Sequence, residues 1–309
     1  MQKINIGILG GDYRYKILKN LFKSEELNVK TFGNIHIENN STSLDEMLDN
    51  TDLLIGPIPY TKDKKYINLF CEDKISISEL LLKMKSKKIG CFIAGVLDEE
   101  FKNKVKSSNI KVYDFFEIET VAVKNAVPTA EGAIMTAMEE SEKTLFGSDN
   151  LILGYGRCGK ILAHTLKGLG ANVSVSYRKQ LDLAYISAYN YNPIKFDDIE
   201  KVIGEYDFIF NTIPALVLNK KVLNCVSKNA TIIDIAQAPG GVDYNYARSI
   251  GLRALYCPGL PGRIAPVTAA EILKEAVETI ALRLFPDITS GFPSNVGSTE
   301  IDMPYHKNR

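Results

Sequence analysis

The chain has no tryptophan and only three histidines in 309 residues. His36 falls in a polar loop, His306 in a polar C-terminal stretch, and His164 inside a helix seven residues past Arg157. None is placed as an acid–base catalyst, and a Ser-His-Asp arrangement is missing. The cysteines are Cys71, Cys91, Cys158, Cys225 and Cys257, an odd number with no pair at metal-site or redox spacing. Reduced thiols, a cytoplasmic setting and no bound metal are expected. Neither sign of charge is in excess: Lys+Arg and Asp+Glu balance at 37 each. That argues against nucleic acid or an anionic membrane as partner. No apolar run approaches the roughly 18 residues of a membrane span. Met1 leads straight into the strand-like run Ile4 to Leu9, so no leader peptide is expected.

Glycine, in contrast, is placed with purpose. Residues 149–159 read Asp-Asn-Leu-Ile-Leu-Gly-Tyr-Gly-Arg-Cys-Gly. An apolar strand enters Gly154-x-Gly156-x-x-Gly159, a helical stretch follows from Lys160 to Leu169, and a second apolar run spans Ala171 to Tyr177. This is the context of a dinucleotide site. The first glycine makes the turn, the second lets backbone approach a pyrophosphate, and the third packs helix on strand. The diphosphate would sit on the helix N-terminus, beside Arg157 and Cys158. Cys158 reads as a small packing residue of that turn rather than a nucleophile.

The end of the second strand bears on the cofactor. An NAD site usually carries an Asp or Glu there, whereas this chain has Tyr177-Arg178-Lys179. Two cations favour the 2′-phosphate of NADP, which Arg can grip bidentately. The alternative is that Arg178 and Lys179 are solvated loop residues. Asn211-Thr212-Ile213-Pro214, Asp234 with the glycines before Val242, and Pro258-Gly259 follow later strands. Strand ends of an α/β sheet face the ligand crevice, so these turns are candidates for the nicotinamide side; each is also an ordinary turn signal.

The first 125 residues alternate strand and helix. Gly10-Gly11-Asp12-Tyr13-Arg14 follows the first strand; its backbone and Arg14 could take a substrate carboxylate, or it is a plain βα turn. Pro128 opens a longer helix that carries Thr129 and Glu131, at a cleft mouth or merely suited to a first helical turn. The expected plan is α/β, with two doubly wound parallel-sheet domains and a cleft between them. Residues 1–125 form an N-terminal substrate domain completed by a returning helix at 268–285. Residues 126–147 hold the crossing helix, 148–262 a Rossmann dinucleotide-binding domain, and 286–309 a polar tail.

In order and spacing these motifs resemble the A-subunit family of dipicolinate synthases. The matching pieces are Ile8-Leu-Gly-Gly-Asp12 with Arg14, Asn125 with Pro128-Thr129 and Glu131-Gly132, and the 154–159 fingerprint. Asn211 to Pro214, Asp234 with Pro239-Gly-Gly-x-Asp243, and Pro258-Gly-Leu-Pro-Gly262 with Ala265-Pro266 and Thr268-Ala269 complete the set, over roughly residues 3 to 285. The two-domain plan is also similar to alanine dehydrogenase and the 2-hydroxyacid dehydrogenases. The resemblance implies oxidation of a hydroxytetrahydrodipicolinate to dipicolinate, with NADP as acceptor. It also implies a partner, the flavoprotein-like B-subunit of dipicolinate synthase, in the mother cell of a sporulating bacterium. A homo-oligomer is compatible with it. Gly10, Gly11 and Arg14 would bind the small cyclic dicarboxylate, and Asp12, Thr129 or Glu131 would move a proton. The chain departs from the family pattern at Lys124 and Arg263 and in its longer tail. Another amino- or hydroxy-acid dehydrogenase, or a nucleotide-binding subunit without chemistry, remains the alternative.

Overall fold

Strand and helix alternate along both halves of the chain, and each half closes its own parallel sheet. The computed structural model describes residues 4–22, 27–38 and 40–286. The first half runs β1 (Ile4–Leu9), α1 (Tyr13–Leu21), β2 (Leu27–Phe32), α2 (Leu44–Leu48), β3 (Leu53–Ile55), α3 (Ile77–Ser86), β4 (Cys91–Ala94), α4 (Glu99–Ser107) and β5 (Lys111–Asp114). A long helix α5 (Glu119–Glu139) leads to β6 (Asp149–Leu153), α6 (Arg157–Gly168), β7 (Asn172–Tyr177), α7 (Gln180–Ala188), β8 (Asn192–Lys195), α8 (Ile199–Val202) and β9 (Phe208–Asn211). Then come α9 (Lys220–Leu223), β10 (Thr231–Asp234), α10 (Tyr244–Ser249), β11 (Arg253–Tyr256), α11 (Leu260–Ile264) and α12 (Pro266–Leu284).

The described residues form two compact units, one of those up to Lys124 with those from Ala265 on, and one of Asn125–Ile264. The first holds a five-stranded sheet in the order β2-β1-β3-β4-β5, parallel throughout. Its strands β3 and β4 are unbroken apolar runs because helices cover both faces. Asp12, Ser76 and Asp98 start α1, α3 and α4 by accepting backbone N–H bonds with their side chains. The last helix, α12, belongs to this unit: Ala270, Leu273, Val277 and Ile280 join Tyr15 and Leu18 of α1 in one buried cluster.

The second unit holds a six-stranded parallel sheet in the order β11-β10-β9-β6-β7-β8. Counted within the unit, with its last strands on the far side of the first, that is the order of a Rossmann domain, with its switch point between β6 and β9. The fold class is therefore two parallel-sheet α/β domains, the second Rossmann-like.

The structure differs from the sequence expectations of the fold in two places. The helix expected to begin at Pro128 begins at Glu119, ends at Glu139 rather than running to 147, and carries Pro128 in its interior. Pro128 has no N–H for the Lys124 carbonyl, a local cost that burial of Val121, Ala126, Ala130 and Ala133 outweighs. Strands β2 and β8 were not anticipated; both are sheet edges. Lys124, where the chain departs from the family pattern, makes an exposed ion pair with Glu275 of α12 at 2.5 Å. Of the polar tail at 286–309, only Pro286 lies within the described residues. Among the described residues, no helix is long and apolar enough to cross a membrane, and no group of three or more His, Cys, Asp or Glu could hold a metal ion.

Candidate functional site

In the second unit, β6 stops where Gly154 turns the chain with φ +99°. That conformation favours glycine. The Gly154 N–H donates to Ser176 Oγ at 2.9 Å, so the turn is tied to β7. Gly159 lies one helical turn on. A Cβ there would stand 2.2 Å from the Gly154 carbonyl oxygen, so only hydrogen allows α6 to lie this close to β6. Gly156 is the opposite case: it is exposed, and a Cβ built on it meets nothing within 4 Å. Gly156 is also the N-cap of α6 and has no side chain to cap the first amides. An open, uncapped helix start fits a diphosphate. Burial pushes the Cys158 thiol up against the opposing Arg157 charge, which keeps it protonated.

The end of β7 carries the expected basic pair. Tyr177 is half-buried in the unit's core, whereas Arg178 and Lys179 are exposed. The Arg178 guanidinium carbon lies 3.7 Å from the centre of the Phe196 ring.

The ends of β6, β9, β10 and β11 stand side by side, because the strands are parallel and adjacent. Thr212 Oγ1 donates to the Leu153 carbonyl at 2.9 Å, and Ile213 lies where a Cβ on Gly154 would meet it. The Asn211–Pro214 turn is thus brought onto the glycine turn. Pro214, Pro258 and Gly259 are on the surface, and a Cβ on Gly259 would meet open space.

Asn211 and Asp234, expected to touch the cofactor, are fully buried. Asp234 Oδ1 accepts from Asn211 Nδ2 at 2.9 Å and from the Ala236 N–H at 3.0 Å. Its Oδ2 accepts from the Gly241 N–H at 2.6 Å and from the Tyr244 hydroxyl at 2.5 Å. Burial, then the Asp234 hydrogen bond, pushes the Tyr244 phenol upward. Asp234 is therefore a positioning residue: its oxygens are engaged in holding the loops after β9 and β10. Asn211 acts the same way, donating also to the Ile213 carbonyl at 3.0 Å. Gly241 is required here, since a Cβ would stand 2.3 Å from Asn211 Nδ2.

In the first unit, the turn after β1 is more constrained than its sequence suggests. Gly10 and Gly11 have φ +62° and +85°. The Gly10 N–H donates to the Phe32 carbonyl at 2.8 Å, so that amide cannot receive a substrate carboxylate as expected; pairing with β2 takes it. Asn34, buried and not anticipated, donates to the carbonyls of Gly10 and Gly11 at 3.1 and 2.8 Å. Arg14 is buried and paired with Asp12 through Nε at 2.9 Å and Nη2 at 2.8 Å. Burial opposes the Arg14 charge, the Asp12 contacts outweigh it, and the pKa rises. Arg14 is thus a fixed cation with part of its fork already engaged. His36, set aside on sequence as a loop residue, meets Tyr13 edge-on at 5.9 Å and Phe70 at 6.2 Å. Its backbone N–H donates to Asn34 Oδ1 at 2.9 Å, which ties it to the same turn.

The α5 candidates divide. Glu131 is exposed. Thr129 Oγ1 donates to the Asn125 carbonyl at 2.7 Å, which leaves the hydroxyl as an acceptor. Asn125 is buried, and its Oδ1 has no hydrogen-bond partner among the described residues.

With this geometry in hand, likeness to known proteins is informative. Residues 5–116 match the N-terminal domain of the dipicolinate synthase A-subunit. Residues 119–242 match the NAD binding domain of D-isomer specific 2-hydroxyacid dehydrogenases. The dipicolinate synthase A-subunit of Bacillus subtilis (strain 168) is 30% identical over 284 residues, which are 90% of this chain and 95% of that protein. The crystal structure of the dipicolinate synthase A-subunit from Bacillus halodurans superposes with a TM-score of 0.81 at 28% identity, covering 90% of this chain and 98% of that one. D-2-hydroxyisocaproate dehydrogenase shares the fold, with a TM-score of 0.59 at 12% identity over 93% of this chain and 98% of that one. The second unit is a nicotinamide-dinucleotide domain of the dehydrogenase type, and the chain is an oxidoreductase. From its likeness to the Bacillus protein over 90% of its length and the match of its first unit, the chain belongs to the A-subunit family of dipicolinate synthases.

Proposed function

We propose that this protein oxidises a cyclic hydroxytetrahydrodipicolinate, or the dihydrodipicolinate it forms by losing water, to dipicolinate. The observation that carries this reading is the likeness to a dipicolinate synthase A-subunit through both units rather than through the dinucleotide domain alone. Loss of water from the hydroxylated ring gives the dihydro compound, and removal of two electrons and two protons from that gives the aromatic product. NADP, when bound, would supply the acceptor for a hydride, that is the two electrons and one proton, and the second proton is released. The domains are proposed as 1–125 with 268–285 for substrate and 148–262 for NADP, and the crossing helix is α5 (Glu119–Glu139) rather than 126–147.

Aromatisation is downhill, so the chain's own work is chiefly to bind and orient. Gly154, Gly156, Arg157, Cys158 and Gly159 hold the diphosphate at the start of α6. Tyr177, Arg178 and Lys179 receive the 2′-phosphate. Thr212, Ile213, Pro214, Pro258 and Gly259 border the nicotinamide side, with Asn211 and Asp234 holding those turns. Gly11 and the free edge of Arg14 take a ring carboxylate. The ring proton leaves to Asp12, the carboxylate at the α1 start; Thr129 can accept a hydrogen bond, and Glu131 is open to solvent. A flavoprotein-like B-subunit completes the enzyme, in the cytoplasm of a sporulating mother cell.

Fluorescence titration with NADPH and NADH tests the cofactor. NADPH should bind more tightly, and Arg178→Asp should narrow or reverse the difference; loss of a charge-assisted contact costs about 1.5–3 kcal/mol. Equal affinities in the unaltered protein would remove NADP from the reading. Turnover on alanine or a simple 2-hydroxy acid, with none on the cyclic precursor, would favour an amino- or hydroxy-acid dehydrogenase. Nucleotide binding without any turnover would favour a non-catalytic role.

A further inference from the structure

The β7–β8 pairing brings together two residues that lie far apart in sequence. Tyr177 of β7 is in register with Lys195 of β8. The next residues, Arg178 and Phe196, leave the sheet at the same level, and the Arg178 guanidinium carbon lies 3.7 Å from the Phe196 ring centre. Phe196 packs against the core cluster that holds Ile199, Ile203 and Leu223. It is thus a fixed platform beneath an exposed cation.

Neighbouring charges do not compete for that cation. Asp197 lies 3.6 Å from Lys195, and Asp198 pairs with Lys201 at 2.6 Å. The first acidic residue of α7, Asp182, is half-buried in the first turn of that helix. Among the described residues, Arg178 has an aromatic partner and no carboxylate partner within ion-pair distance. A guanidinium stacked on a ring keeps its N–H groups directed outward in its own plane, the edge that a phosphate's oxygens approach. An unstacked arginine would have to be ordered at the moment of binding, at a cost in side-chain entropy.

We propose that Phe196 is a specificity-determining positioning residue: its ring holds the Arg178 guanidinium stacked and ready for the 2′-phosphate of NADP. This rests on the NADP reading above. Phe196 adds nothing to recognition of a plain ribose hydroxyl, so removing the ring should act on NADPH alone.

The test measures NADPH and NADH affinities by fluorescence titration, with thermal melting alongside. Phe196→Leu keeps apolar volume and removes the π face; Phe196→Tyr keeps the ring. Phe196→Leu should weaken NADPH about 5–30-fold while NADH changes by less than about twofold, the size of one lost oriented cation contact. Phe196→Tyr should keep the unaltered protein's preference. With Arg178→Ala in place, Phe196→Leu should no longer alter the ratio of the two affinities, since the two residues act through one contact. A purely structural role would lower the melting temperature and weaken both nucleotides alike, and that result overturns the inference. Tighter NADPH binding by Phe196→Leu also overturns it, because the ring would then be holding Arg178 away. A preference for NADPH that Phe196→Leu leaves intact defeats this inference alone. No preference in the unaltered protein defeats the cofactor reading and this inference together.

Discussion

Gly159 lies so close to Gly154 that a Cβ on the first would stand 2.2 Å from the carbonyl oxygen of the second. The contact joins the first turn of α6 to the end of β6, and it cannot be relieved by a side-chain rotation because the obstructing atom is backbone. Gly159→Ala must therefore push α6 away from the sheet. Overpacking of this kind costs about 1–3 kcal/mol. The expected result is a lower urea midpoint for the second unit together with weakened nucleotide binding. Unchanged stability would mean that helix and strand are not this close.

Gly156 makes the contrasting case. Its φ of −82° and ψ of −163° suit any residue, and its Cβ direction is open. Aspartate is a preferred N-cap, so Gly156→Asp should leave stability unchanged or raise it by a few tenths of a kcal/mol. It would also put a negative charge where the diphosphate is proposed to bind. Nucleotide affinity should fall at least about tenfold, as expected for losing an anion's place at a helix start. Calorimetric titration beside a melting curve checks both halves; retained affinity would move the diphosphate elsewhere.

Asp234→Ala would leave four donors without their acceptor: Asn211 Nδ2, the amides of Ala236 and Gly241, and the Tyr244 hydroxyl. One unsatisfied buried group typically costs about 1–3 kcal/mol, so the loss should lie at or above the upper end. Equilibrium unfolding measures it. A change below about 1 kcal/mol would contradict the positioning role, being the size of an ordinary surface substitution.

Alkaline pH should destabilise both units. Burial pushes the Cys91 thiol from 9.0 to about 12 and the Tyr155 phenol from 10.0 to about 12. Each is held neutral in the folded chain at pH values where the unfolded chain has begun to ionise. Their contribution is therefore complete below the unfolded values and is lost as pH rises from about 9–10 toward about 12, since the unfolded state then binds fewer protons. Melting temperatures should fall across that window, and less steeply in Tyr155→Phe for the transition of the second unit. Identical slopes for the two proteins would show that Tyr155 does not carry its share.

The fingerprint at 154–159 was legible because each glycine answers a local demand that shows in spacing. Strands β1, β3, β4, β6 and β9 were legible as short apolar runs for the same reason, being buried on both faces. Two of the edge strands, β2 and β8, were not. β2 is only partly buried, and β8 is Asn-Pro-Ile-Lys, whose proline is tolerated because an edge strand leaves one side of its backbone unpaired. Pro128 misled for a related reason: a proline signals a helix start locally, and tertiary burial carried the helix through it. Asn34 and Phe196 act on residues 23 and 18 positions away, and nothing in a linear pattern announces such a partnership. Asp234 looked like a ligand residue because it closes a strand in the right place. Its four hydrogen bonds come from residues whose relation to it only the folded loop creates.

Reconstitution of the whole reaction tests whether this protein oxidises the cyclic precursor. The protein is mixed with its flavoprotein-like partner, NADP and freshly made cyclic precursor. Dipicolinate is followed by its ultraviolet absorbance and reduced cofactor by its own band, each corrected for the spontaneous rate. Dipicolinate and NADPH should appear together in equal amounts, only when this protein is present, and Arg14→Ala should lower kcat/KM by about 10–100-fold, the effect of one lost charged contact. Folded proteins and bound NADP with no dipicolinate above the spontaneous rate would contradict the proposed oxidation.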